Sequence, residues 1–311
     1  MKKYAVLYNP LAGNGTGRTE TAALKKLLDG EVTFHDITCL TDRGAYETFL
    51  AADRERAVVI SGGDGTLHSF ANHTCGMDYE NRILYFATGS GNDFLGDIGG
   101  QRGDFPVDVT DYLRGLPSVT VAGRTYRFLN NVGFGIDGYC CEEGDRIRAD
   151  RAARGITKPI NYTTVALKGM FVDFVPCGCT VTVDGEARHF ERVWLAPTMN
   201  GRFYGGGMMI APHQDRKAAD GRVSVVIAHD LSKLKILTLF PSIFSGKHLK
   251  YTKHVTVLTG HEARVEFDRP CALQIDGETV PGVTSYTVSA DPRRNLPLTQ
   301  TKTADENYEK V

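Results

Sequence analysis

Gly62-Gly63-Asp64-Gly65-Thr66 follows the apolar run Ala57-Val58-Val59-Ile60. Four such residues read as a buried parallel strand, and the glycines after them let the backbone approach a ligand closely. Leu67-His68-Ser69-Phe70-Ala71-Asn72 then reads as the first turns of a helix. A strand, a glycine turn and a helix start aim free amides and the positive end of the helix dipole at one point, which is an anion site. Asp64 is a carboxylate where a bare phosphate site would not want one. A bound Mg²⁺ would reconcile it with a nucleotide, and that combination points to a kinase.

Two more loops have related chemistry. Asn9-Pro10-Leu11-Ala12-Gly13-Asn14-Gly15-Thr16-Gly17 is glycine-rich and opens a helix. No Gly-Lys-Ser/Thr closes it, so it is not a Walker A loop, and alone it reads equally as a phosphate cradle or a plain turn. Gly89-Ser90-Gly91-Asn92-Asp93-Phe94 alone would read as a helix cap. Three such loops at successive strand ends favour nucleotide binding.

The elements that must hold these loops alternate. Strand patterns at 4–8, 32–37, 57–60 and 83–87 are interleaved with helical patterns at 18–28 and 43–52. This alternation implies a parallel sheet with ligand loops at its carboxyl ends. After about residue 119 short alternating runs take over, among them 180–183, 223–228, 255–258, 264–267 and 272–275, with one helical stretch at 159–174. The expected fold is an α/β parallel-sheet ATP-binding domain over 1–120, which the segment 290–311 could complete. An antiparallel β-sandwich-like domain over 121–289 follows.

The 311 residues suffice for two domains, and 41% apolar with 23% charged residues is the composition of a globular protein. A net charge of −1 provides no basic field for nucleic acid. Seven cysteines, no Cys-x-x-Cys pairing and no leader pattern at Met1-Lys2-Lys3-Tyr4-Ala5-Val6 lead us to expect a cytoplasmic protein with reduced thiols. No stretch approaches the roughly 18–20 apolar residues of a membrane span.

The ordered set of motifs resembles the diacylglycerol kinase catalytic-domain family of lipid kinases, which includes bacterial diacylglycerol kinases and sphingosine kinase-like enzymes. It comprises Asn9-Pro10-Leu11-Ala12-Gly13, Gly62-Gly63-Asp64-Gly65-Thr66-Leu67, Gly89-Ser90-Gly91-Asn92-Asp93-Phe94 and Phe128-Leu129-Asn130-Asn131-Val132-Gly133-Phe134-Gly135. Gly205-Gly206-Gly207, Ala211-Pro212, Asp220-Gly221 and Gln274-Ile275-Asp276-Gly277-Glu278 complete it. The resemblance implies an ATP-dependent kinase acting on a lipid hydroxyl in a cleft between two domains. It implies nucleotide contacts from Asn9, Pro10, Leu11, Ala12, Gly13, Thr41, Gly62, Gly63, Asp64, Gly65, Thr66, Ser90, Gly91, Asn92 and Asp93. It gives Asp276 the role of general base with Glu278 beside it. Asp64, Asp93 and Asp108 would form an acidic network linked to Mg²⁺, and Asp215, Asp220 and the Arg222 backbone carbonyl a metal loop. These roles suit phosphoryl transfer, which needs positioning and charge neutralisation.

Asp-Gly-Glu occurs twice, at Asp184 and at Asp276, and Asp-Gly between strands is foremost a hairpin signal. His68-Ser69 stands where the family usually has Asn-Glu, with His68 expected on a helix surface. The Pro212–Asp220 stretch is about two residues longer than usual, and Ser224 replaces a frequent aspartate. Gly-Gly-Asp-Gly-Thr alone is shared with NAD kinases, which keeps open a kinase of a soluble substrate; His68-Ser69 and the altered metal loop keep open a nucleotide-binding regulatory protein without catalysis.

The acceptor side rests on apolar residues at 160–174 and 234–244 with Lys168, Lys233, Lys235, Lys247 and Lys250 nearby. Ordinary core packing is the favoured explanation of these residues, with interfacial contact second. The expectation is a lipid substrate and reversible peripheral contact at the inner membrane face, with a homodimer also allowed.

Overall fold

A computed structural model describes residues 1–89, 91–156, 160–218 and 221–290. They form two compact units: 1–89, 91–92 and 100–115 make the first, and 93–99 with the rest from Leu116 make the second. Ser90, Asp220 and the segment 291–311 lie outside the described residues.

In the first unit β1 (Lys3–Tyr8), β2 (Glu31–Asp36), β3 (Ala57–Gly62), β4 (Ile83–Ala87) and β5 (Val107–Asp108) form one sheet ordered β2-β1-β3-β4-β5. All neighbours are parallel except β4 and β5. The central β3 and β4 are buried almost throughout, because helices cover both faces of a parallel sheet. Tyr4, Val6, Leu24, Leu28, Val59, Leu84 and Phe86 pack one side of it. After α1 (Ala12–Gly15), the helical pattern at 18–28 resolves into two short pieces, α2 (Gly17–Thr21) and α3 (Leu24–Leu27), with Leu27 exposed. Next come α4 (Arg43–Ala51), α5 (Asp64–His73), α6 (Asp93–Asp97, packed with the second unit) and α7 (Thr110–Arg114). Asp42 caps α4 by accepting the Ala45 amide at 2.8 Å.

The second unit holds β6 (Ser118–Val121), β7 (Arg124–Arg127), β8 (Asn131–Phe134), β9 (Cys177–Val183), β10 (Glu186–Leu195) and β11 (Thr198–Met199). The small pair β12 (Phe203–Tyr204) and β13 (Met208–Met209) follows, then β14 (Val223–His229), β15 (Val255–Gly260), β16 (Glu262–Ile275) and β17 (Glu278–Ser289). Its sheet is antiparallel and runs β7-β6-β17-β16-β8-β11-β14-β10-β9. β9 pairs with β16 again, so six strands close on themselves. β16 makes this closure possible because its register breaks between Glu266 and Leu273: the first half pairs with β9, the second with β8.

Alternation assigns the two faces. Val225 and Ile227 join a core with Phe134, Val193, Val265 and Leu273, while Val226 and Ala228 turn outward to Trp194, Ile236 and Leu239. The outer layer contains α8 (Ile136–Ala153), α9 (Tyr162–Lys168) and α10 (Lys233–Ile243). α8 corrects the sequence reading, which placed only one helical stretch here. It is polar, burying only Ile136, Asp137, Gly138 and Gly144, so no apolar stripe announces it.

Candidate functional site

The first unit gathers its loops at the carboxyl ends of β1, β3 and β4. Asn9 donates its side-chain amide to Thr66 Oγ1 at 3.1 Å, and its Oδ1 accepts the Leu11 amide at 2.9 Å. A Cβ on Gly89 would lie 2.4 Å from Gly63 Cα, so the second and third loops touch backbone to backbone. Asn92 ties its own loop by donating to the Gly89 carbonyl at 2.9 Å. Thr16 and Arg102 both donate to Glu20, at 2.8 and 2.6 Å, which fixes the first loop from outside. Glu20 and Arg102 were not singled out in the sequence; only proximity in the fold marks them.

Asp64 occupies the first turn of α5 behind the Gly63 cap. Tyr85 lies beside it, its hydroxyl reaching the Gly62 carbonyl at 3.3 Å; burial first and the Asp64 charge second push the phenol well above its ordinary range. Pro10, Leu11, Ala12 and Gly13 stay with the first loop, Gly65 with the second and Gly91 with the third, whose carbonyl lies 3.5 Å from the Cβ position of Gly63. Thr41 is exposed and follows β2, the edge strand. His68, expected on the helix surface, is 4% exposed and meets the Asn72 side chain at 3.3 Å, because α5 packs that face against the sheet.

Asp108 is not brought to Asp64. It stands opposite Leu84, three residues before Ala87, which is the partner of Gly62. At about 3.3 Å per strand residue the two are roughly 10 Å apart along the sheet. Asp108 instead pairs with Arg82 at 2.8 Å, and the Thr110 and Arg82 contacts outweigh burial to keep its carboxyl below the ordinary range.

In the second unit Asp93 accepts the amides of Gly206 at 2.8 Å and Gly207 at 2.7 Å. Burial nevertheless raises its pKa, those two bonds opposing the rise and the nearby Asp97 adding to it. Asp97 is the anchor that the motif analysis passed over. Its carboxylate is 3% exposed, pairs with Arg202 at 2.7 Å and is bonded by the Arg216 guanidinium. Arg216 then donates to the Leu129 carbonyl at 3.1 Å and to Asn130 Oδ1 at 3.0 Å.

That loop receives Asp276. β16 and β17 meet in a two-residue turn, Ile275 opposite Glu278, with Asp276 and Gly277 at φ of 49° and 96°. The Asp276 carboxylate accepts the amides of Leu129, Asn130 and Asn131 at 2.5, 2.8 and 3.0 Å. Asp184 makes the same kind of turn, φ 48°, and its Oδ1 takes the amides of His261 and Glu262, both at 2.9 Å. The difference is place: Asp184 is exposed, whereas Asp276 is half-buried against Leu129 and Asn130. Glu278 is exposed next to it.

The metal loop does not assemble from the described residues. Asp215 is exposed and accepts the Lys217 amide at 2.9 Å, and the Arg222 carbonyl is taken by the Gln214 side chain at 2.7 Å. Both line a cavity of about 510 Å³ walled also by Ala211, Ser224 and Val257. Among the described residues no group of three His, Cys, Asp or Glu comes together to hold a metal. Asp108 is ion-paired, and both oxygens of Asp93 already accept amides.

Comparison with known proteins agrees with an α/β domain followed by a β-rich one. Residues 3–121 match the diacylglycerol kinase catalytic domain, and residues 130–296 match the YegS C-terminal NAD kinase beta sandwich-like domain. YtlR of Bacillus subtilis (strain 168), which bears a lipid-kinase name, is 24% identical, covering 94% of this chain and 98% of its own. A diacylglycerol kinase of Mycobacterium tuberculosis is 26% identical over 80% of each chain. A crystal structure of a diacylglycerol kinase from Bacillus anthracis str. Sterne shares the fold with a TM-score of 0.58 at 16% identity, over 94% of each chain. The chain belongs to the diacylglycerol kinase catalytic-domain family, its β-rich second part matching the YegS C-terminal NAD kinase beta sandwich-like domain.

Proposed function

We propose that this protein transfers the γ-phosphoryl group of ATP to a hydroxyl of diacylglycerol or a related lipid, with Asp276 as general base. The acceptor O–H passes its proton to the Asp276 carboxylate as the oxygen bonds to phosphorus, and the bond from γ-phosphorus to the bridging oxygen breaks to release ADP. The observation that carries the reading is the fixing of Asp276 by three amides of one loop. A carboxylate held in this way needs no rearrangement when the proton arrives. Glu278 adds a second negative charge beside it. The Asn9, Gly62 and Gly89 loops supply amides and a helix start for the triphosphate. We place Mg²⁺ with the nucleotide phosphates near Asp64, not in the Asp215 loop.

Access to a bilayer is part of the proposal. Phe171, Val172, Val175 and Leu234 are all exposed, and Lys233 Nζ donates to the Phe171 carbonyl at 2.7 Å, which brings the two apolar segments named from the sequence into one patch. Arg269 donates to the Val175 carbonyl at its border. An apolar patch bordered by cations suits an anionic lipid surface. Among the described residues no helix is long and apolar enough to cross a membrane.

The test is incubation with γ-labelled ATP, Mg²⁺ and a total lipid extract, with NAD in a parallel reaction. A labelled lipid that disappears in Asp276→Asn supports the reading. Labelled NADP overturns it, and ATP binding without transfer to either acceptor overturns it in favour of a regulatory protein.

A further inference from the structure

Asp137 has no part in the chemistry above, yet it is buried at the start of α8, where a carboxyl group needs a reason to be. Its Oδ2 accepts the Gln274 side-chain amide at 3.2 Å. Gln274, 2% exposed, spans the gap between Asp137 and the Asp276 turn: its Oε1 accepts the Gly277 amide at 2.9 Å. The chain has a fixed direction. The Gly277 N–H can only donate, so Gln274 must turn its oxygen towards the turn and its NH₂ towards Asp137, which must accept. Space is reserved for this contact, since a Cβ on Gly133 would lie 2.5 Å from Asp137 Oδ2.

We infer that Asp137 is a positioning residue for the Asp276 base: through Gln274 it locks the peptide that follows Asp276. The amides of Leu129, Asn130 and Asn131 hold the carboxylate from one side, and the Asp137–Gln274 link holds the backbone of its turn from the other. The role of Asp276 as base is taken from the function proposed above; the link itself is a property of the fold.

The test reads both. Gln274→Met removes both bonds without adding charge. It should lower kcat at least tenfold with KM for ATP unchanged, and speed amide exchange of Gly277 at least tenfold by NMR. Asp137→Asn/Gln274→Glu keeps the total charge and reverses the first bond, since the asparagine NH₂ now donates to the glutamate, whose other oxygen still accepts from Gly277. It should return kcat and Gly277 exchange to within threefold of the parent. If Gln274→Met leaves both at the parent values, or if the folded double variant recovers neither, the assignment is wrong. Should the parent protein phosphorylate no lipid, the proposed function falls, and Gly277 exchange alone still decides the link.

Discussion

Gly63 and Gly89 stand so close that a methyl group on Gly89 would reach within 2.4 Å of Gly63 Cα. The contact is backbone against backbone, so no side-chain rotation relieves it. Gly91, two residues on, has open space at its Cβ position. Gly89→Ala must therefore part the two loops, and we expect at least a tenfold loss of ATP affinity with destabilisation of about 1–3 kcal/mol. Gly91→Ala should keep the parent stability. Nucleotide titration and thermal unfolding of the pair check this, and equal stability of the two variants would show that the loops are not locked.

Asp184 and Asp276 share a turn and differ in consequence. Each carboxylate accepts amides of a neighbouring segment; replacing Asp276 by alanine orphans buried donors and should cost about 1–3 kcal/mol, whereas at exposed Asp184 water takes over and the cost should be about 0.5–1 kcal/mol. Only Asp276 should matter to turnover. Asp276→Asn keeps an acceptor oxygen but cannot take a proton, and kcat should fall about 10²–10⁴-fold with ATP binding retained. Asp184→Ala should lose stability at parental kcat. Urea unfolding alongside steady-state kinetics separates the two effects.

Asp97 and Arg216 form a buried pair, 3% and 5% exposed, and Arg216 also supports the Leu129 and Asn130 loop. Asp97→Ala would take the carboxylate partner from the buried Arg216 guanidinium, and we expect about 3–5 kcal/mol of destabilisation in denaturant titration. Arg216→Met in addition should recover part of that loss, because the stranded charge goes with it.

The parallel sheet and both Asp-Gly turns were legible in the sequence, since β-branched runs and Asp-Gly pairs carry their geometry locally. α8 was not, because Ile136 and Gly144 are too few to make an apolar period. Its available signals were the charge pairs Glu143–Arg146 and Asp145–Arg148 and the positive-φ Gly155 at its end. Asp97 and Arg216 could not be read at all, for they lie 119 positions apart and each resembles an ordinary surface charge. Asp108 shows the converse. Its place in the order of motifs suggested an acidic cluster, and the antiparallel step from β4 to β5 carries it to the other end of the sheet.

The apolar patch gives a direct membrane test. Leu234 is 74% and Val172 69% exposed, so Val172→Asp with Leu234→Asp should leave stability within about 0.5 kcal/mol. The same change should abolish sedimentation with phosphatidylglycerol vesicles at low salt, and phosphatidylcholine vesicles should bind the parent weakly. If the parent ignores both, the patch is no membrane face. A concentration-dependent dimer that the substitutions abolish would assign it to a second copy of this chain.

Asp137 should leave its mark on the pH dependence of stability. Burial pushes its carboxyl up to about 6 from the ordinary 3.8, with the Gln274 bond and the first amides of α8 opposing the rise. The folded state therefore binds the proton more tightly than the unfolded chain does. The stability this contributes is complete below about pH 4 and is lost as pH rises through 6, roughly 3 kcal/mol in all. Asp137→Asn cannot titrate, so its unfolding free energy lacks that decline. Urea titrations at pH 4, 5, 6 and 7 should show the parent losing ground to Asp137→Asn across this range and running parallel to it above pH 7. Curves that stay parallel from pH 4 would mean that Asp137 is ionised throughout, with its charge compensated inside the protein.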